Sequence, residues 1–143
     1  MFKNILLPYS FENNFSNIPK TLKKLTDKDS VVTIYNVITE NDLLASVRYE
    51  NKHKSDIIKE KEQELSPFLE ELSSSSINYK IEIDFGPVKD TILEKISSGT
   101  LENGQFDLVV MSNHRLSLDI KHVLGDVTHK ITKRSPVPVL VVK

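Results

Sequence analysis

The apolar residues of this chain fall alternately into short continuous runs and into positions three or four apart, the pattern of buried strands separated by amphipathic helices. Ile5-Leu6-Leu7 starts a first strand, which Pro8 stops. Phe15, Ile18, Leu22 and Leu25 then share one face of a helix whose other face carries Lys20, Lys23 and Lys24. Val31 to Ile38 is β-branched and aromatic and predicts a second strand. The charged stretch from Asp42 to Ser76 carries Ile57, Ile58, Leu65, Phe68, Leu69 and Leu72 as its apolar stripe. It predicts helix with a kink or restart at Pro67, where a backbone donor is missing, and a serine linker from Ser73 to Ser76.

Tyr79 to Phe85 alternates as a third strand with one wetter face. Val88, Ile92 and Ile96 are spaced by four, with Pro87 suited to the first helical turn and Gly99 to the stop. Phe106 to Met111 is apolar except for Asp107 and predicts a central strand buried on both faces. Gly125-Asp126-Val127 opens a last helix through Ile131, with Lys130, Lys133 and Arg134 near the carboxyl end where its dipole favours cations. Val137 to Val142 closes as a strand, placed at a sheet edge by Pro136 and Pro138.

Five strands separated by crossover-length helical segments predict an α/β fold, a single domain over residues 1–143 with a parallel, doubly wound sheet and helices on both faces. Ligands of such sheets sit beyond the carboxyl ends of the strands, where the winding reverses. With the first and fourth strands as central neighbours, the segments Pro8 to Glu12 and Ser112 to Val123 meet at that point, and a functional site is expected there.

Composition narrows the chemistry. A chain of 143 residues hides roughly 68 to 70% of its unfolded surface on folding, enough for a core without disulfides or structural metal. The absence of cysteine excludes thiol nucleophiles and zinc ribbons, and a net charge of -1 argues against a coat for nucleic acid or anionic membrane. No run is long and apolar enough for a signal peptide or a membrane span, so a cytoplasmic protein is expected. The four glycines, Gly86, Gly99, Gly104 and Gly125, are too far apart to write G-x-G-x-x-G or a Walker A loop, and no G-x-S-x-G elbow is present. An enzyme is the least supported class.

Four segments, read together, resemble the universal stress protein family: Phe2 to Pro8, Phe106 to Met111, Gly125 to Ile131 and Ser135 to Val142, in register from end to end. The resemblance implies an adenine nucleotide alpha-hydrolase-like fold with strand order 3-2-1-4-5 and a small protein that dimerises through its last strand. It also implies a nucleotide site, functional or vestigial, built from Tyr9, Ser10, Val37, Met111, Ser112, Arg115, Gly125, Asp126, Val127 and Thr128.

In family members that bind ATP, the fourth strand is followed by a glycine, two residues, a second glycine, nine residues, then a glycine and a Ser or Thr. Here Ser112 and Arg115 stand at the first two glycine positions, Gly125 keeps the third, and Asp126 takes the hydroxyl position; Ser10 replaces the aspartate found after the first strand in binders. Side chains at 112 and 115 are expected to obstruct a backbone that would curl around a triphosphate. Asp126 is expected to cap the helix amino terminus itself and to repel phosphate, by roughly 4 kcal/mol at 4 Å and an effective dielectric near 20. The expectation is therefore a non-enzymatic regulatory or interaction module without a nucleotide cofactor, with ATP or AMP binding as the alternative.

Other residues have competing readings. His114, Arg115, Lys121 and His122 could form an anion pocket or a solvated loop; from Phe106 onward the chain carries +3, against -4 before it. His122, Asp126 and His129 are spaced by four and three, but no fourth ligand completes a metal site. An open edge of Val137, Val139, Leu140, Val141 and Val142 would invite aggregation, and pairing with a second copy would remove that hazard. An unidentified protein partner fits the same class of module; nucleic acid and membrane do not.

Overall fold

A computed structural model describes residues 1–49, 52–112 and 125–143. Its elements in chain order are β1 (Asn4–Pro8), α1 (Ile18–Leu25), β2 (Val31–Ile38), α2 (Glu40–Tyr49), α3 (Lys54–Glu64), α4 (Ser66–Ser74), β3 (Tyr79–Phe85), α5 (Val88–Ser98), β4 (Leu108–Ser112), α6 (Asp126–Arg134) and β5 (Val139–Val142). The strands form one sheet in the order β3-β2-β1-β4-β5, and every neighbouring pair is parallel. This is the expected doubly wound architecture.

Period-two alternation divides the central strands between two cores. Ile5, Leu7, Val32, Ile34, Leu108 and Val110 point to one face, where Phe15, Ile18 and Leu22 at α1 and Leu65, Phe68 and Leu72 at α4 cover them. Leu6, Tyr35, Val109 and Met111 point to the other, covered by Ile92 and Ile96 of α5 and Ile131 of α6. Each side chain buried this fully stabilises the fold by about 1.5–3 kcal/mol, so both layers are strongly specified.

The boundaries differ from the sequence expectation where side chains or prolines intervene. The restart at Pro67 is present: α3 ends at Glu64 and α4 begins at Ser66, with Pro67 in its first turn. The expected serine linker is shorter, because α4 runs through Ser74 and the Ser75 amide still donates to the Glu71 carbonyl at 3.2 Å. Phe106 and Asp107 lie before β4. Asp107 accepts from the amides of Lys3 at 2.8 Å and Asn4 at 3.1 Å, so this carboxylate ties the start of β4 to that of β1. Val137 likewise precedes β5, and Pro138 contributes only its carbonyl, which accepts from the Val109 amide at 2.9 Å.

Gly99 ends α5 at φ 70°, and a Cβ there would lie 2.4 Å from the Gly104 carbonyl oxygen. Both conformation and space require glycine at this stop.

A candidate ligand cleft where the winding reverses

β1 and β4 are neighbours, yet the helices that follow them pack on opposite faces, α1 on the first core and α6 on the second. A cleft of about 780 Å³ opens beyond the strand ends. Tyr9 and Ser10 line it from the end of β1, Val37 from β2, Met111 and Ser112 from β4, and Gly125, Asp126, Val127 and Thr128 from the start of α6. Nine of the ten expected site residues thus share one cavity; Arg115 lies outside the described residues, with His114, Lys121 and His122.

The sequence did not indicate the far wall. Asp42, Ala45 and Ser46 on α2, and Lys52, Glu60 and Lys61 in and before α3, also line the cleft. Lys52 pairs with Glu60 at 2.8 Å, and the Lys61 ammonium lies 4.9 Å from the centre of the Phe11 ring. Only the chain's return over the sheet brings this charged helical stretch to the strand ends, and its polar first half gave no periodic signal.

The wall built by the β1–α1 loop is internally bonded. The Tyr9 amide donates to the Tyr35 carbonyl at 2.7 Å, and Asn36 Nδ2 donates to the Tyr9 carbonyl at 2.9 Å. The Tyr9 ring stacks on Phe15 with centroids 4.2 Å apart and meets Phe11 edge-on at 5.1 Å. Burial pushes the Tyr9 phenol upward in pKa, and the carboxylates of Glu64 and Glu71 add to that shift.

On the opposite face Val37, Val88 and Val127 pack beside Met111, giving the cleft an apolar flank. Beneath them the Tyr35 hydroxyl donates to Asp84 at 2.5 Å, and Lys95, paired with Glu82, lies over the Tyr35 ring. Burial is the main cause of a strong upward shift of the Tyr35 phenol, with the Asp84 bond second.

Two expectations about the phosphate-loop positions change in detail. Alternation along β4 turns the Ser112 side chain toward the first core, and its hydroxyl donates to the Asn14 carbonyl at 2.7 Å. Its hydroxyl is therefore engaged with the β1–α1 loop while the residue lines the cleft. Asp126 stands in the first turn of α6, but no side chain caps that helix. Its side chain is 93% exposed, with the Lys89 ammonium 4.0 Å away, so water and a neighbouring cation weaken its repulsion of an anion. Gly125 occupies the amino-terminal cap position. His129 is exposed on α6, and among the described residues no group of three or more His, Cys, Asp or Glu side chains converges as a metal set.

A cleft at the winding reversal of a five-stranded parallel sheet, between β1 and the start of α6, defines a doubly wound α/β protein with a cleft where ligands of such sheets sit. The profile of the universal stress protein family matches residues 1–143, and the chain belongs to that family. Among solved structures, it is 27% identical to the hypothetical protein MJ0577, over 100% of this chain and 96% of that one, with a TM-score of 0.75. UspA from Lactobacillus plantarum is 20% identical over 99% of this chain and 97% of its own, with a TM-score of 0.69. A universal stress protein family protein from Arabidopsis thaliana, solved with AMP bound, is 16% identical over 99% and 91%, with a TM-score of 0.59. No curated protein sequence matches.

Proposed function

We propose that this chain is a non-enzymatic regulatory module of the stress response, cytoplasmic, whose cleft has lost the grip on a triphosphate. The observation that carries this reading is Asp126: the first turn of α6, where free backbone N–H groups and the helix dipole would receive phosphate, presents a carboxylate to the cleft. Loss of the glycine at 112 supports it, since the remaining loop cannot be as permissive in φ. Binding without catalysis fits a sequence that offers no cysteine and no nucleophile elbow.

The test is calorimetric titration of magnesium-loaded ATP and of AMP into purified protein, with mass spectrometry of co-purifying small molecules. No heat from ATP at micromolar concentrations is expected, and micromolar ATP affinity would overturn the reading.

One observation favours a second reading, an adenine-nucleotide binder with an atypical phosphate loop. The cleft keeps its apolar flank of Val37, Val88 and Met111 and its bonded Tyr9–Ser10 edge, and a relative of the same fold was solved with AMP bound. AMP binding without ATP binding in the same titration would select it.

The same proposal includes a homodimer through β5. What supports it is the position of β5 at the sheet edge with Val139, Leu140, Val141 and Val142 half-buried and Val137 just before it. Changing Val139 and Val141 to Lys should give a folded monomer in sedimentation; an unchanged dimer excludes this edge.

A further inference from the structure

The position where the family's ATP binders have a glycine holds a serine that is 3% exposed and tied to a different part of the chain. The Ser112 hydroxyl donates to the Asn14 carbonyl at 2.7 Å, and Asn13 Nδ2 donates to the Ser112 carbonyl at 2.9 Å. Together the two bonds join the end of β4 to the β1–α1 loop, across about one hundred residues of sequence. The joined segments are those that diverge at the winding reversal, since α1 packs on the first core and α6 on the second.

Short-range bonds shape the turn: the Asn13 amide donates to the Ser10 carbonyl at 3.2 Å, the Glu12 amide to Ser10 Oγ at 3.2 Å, and the Ser16 amide to Asn14 Oδ1 at 2.8 Å. Tyr9, at the start of the loop, is tied to β2 through the Tyr35 carbonyl and Asn36, and the Ser112 and Asn13 bonds tie the segment after it to β4. A glycine at 112 would keep the carbonyl that Asn13 uses and lose the hydroxyl that reaches Asn14.

We propose that Ser112 and Asn13 are positioning residues that clamp the β1–α1 loop to β4 and hold the cleft wall of Ser10 to Asn13 in its binding-ready shape. The glycine position is thereby re-used: a residue that in ATP binders frees the backbone here fixes the opposite wall. The proposal deepens the functional reading above by naming what shapes the cleft once the phosphate loop is gone. A wall held before binding spares the ligand the ordering cost of the loop, so the clamp acts on affinity as well as on mobility.

The deciding measurement is amide hydrogen exchange of ligand-free protein at Glu12, Asn13 and Ser16, compared among wild type, Ser112→Ala, Ser112→Thr and Asn13→Ala. Ser112→Ala and Asn13→Ala should each raise exchange at these amides about tenfold, the effect of losing about 1.4 kcal/mol of local protection, while β2 and α5 are unchanged. Ser112→Thr, which keeps the hydroxyl, should stay near wild type. Unchanged loop exchange in both Ser112→Ala and Asn13→Ala would overturn the clamp, as would an increase of the same size throughout the sheet. If AMP binds the wild type, its affinity should fall about tenfold in Ser112→Ala; equal affinity despite a freed loop would also overturn the clamp as a positioning device. Because exchange is read without nucleotide, tight ATP binding by the wild type would refute the functional reading and leave the clamp standing.

Discussion

The two walls of the cleft are built from different physics. On the β1 side, Tyr9, Asn13, Asn36 and Ser112 form buried or half-buried hydrogen bonds over an aromatic floor of Phe15 and Phe68. On the α5–α6 side, the contacts at the cleft rim include ion pairs at the surface, Lys89 with Asp126 at 4.0 Å and Lys130 with Asp90 at 3.0 Å, above the more covered Tyr35–Asp84 bond and Lys95–Glu82 pair. Buried bonds are costly to break, because the freed groups do not find water, whereas exposed pairs contribute little and are screened by salt. The first wall is therefore set by the fold, and the second is open to adjustment by substitution or ionic strength.

The largest effect should come from removing the floor of the bonded wall. Phe15 is 5% exposed and lies beneath the Tyr9 ring, so Phe15→Ala should cost about 3–5 kcal/mol in urea unfolding. A loss below about 1 kcal/mol would mean that the wall does not depend on its aromatic packing.

Next is the Tyr35–Asp84 bond, which joins a buried phenol to an exposed carboxylate. Tyr35→Phe should cost about 1 kcal/mol at neutral pH, because Asp84 can recover water. Its clearer signature is in alkali. The folded protein holds this phenol neutral above the ordinary value of 10.0, whereas the unfolded chain releases the proton there. Unfolding above that pH therefore releases a proton, and wild-type stability should fall as pH rises through this range, by up to about 1.4 kcal/mol per unit for one group. The Phe variant should show a shallower fall; identical slopes would show that Tyr35 titrates normally.

Smaller effects are expected on the ionic wall. If ATP binds, Asp126→Ser should tighten ATP more than adenosine, since the carboxylate acts on phosphate; equal changes for both ligands in calorimetry would exclude an electrostatic role. Lys130→Ala should change stability by less than about 1 kcal/mol, and that change should vanish in 1 M salt. A salt-independent loss would mean that the α5–α6 wall is held by packing and not by charge.

The contrast also separates what was legible in the sequence from what was not. Strands and helices were readable because apolar spacing reports burial directly: Ile5 to Leu7 and Leu108 to Met111 are buried throughout, as their continuous apolar runs require. Asp107 looked like an interruption in such a run. Its role, accepting the first amides of β1, depends on a contact about one hundred positions away and leaves no periodic trace. Ser112 is the same case. The sequence shows that a glycine is missing, but its consequence depends on the direction in which β4 turns that side chain, and the hydroxyl bonds to the β1–α1 loop that walls the cleft.

By itself the sequence determined the fold class and, through the family resemblance, the strand order. Local periodicity, proline positions and glycine counts carry that information without any distant contact. Tertiary structure decided the rest: that α2 and α3 supply a charged far wall, that Asp126 stands exposed beside Lys89, and that Ser112 bonds to Asn14. Each of these is a meeting of side chains far apart in sequence, and its strength depends on burial and direction, which only the packed chain defines.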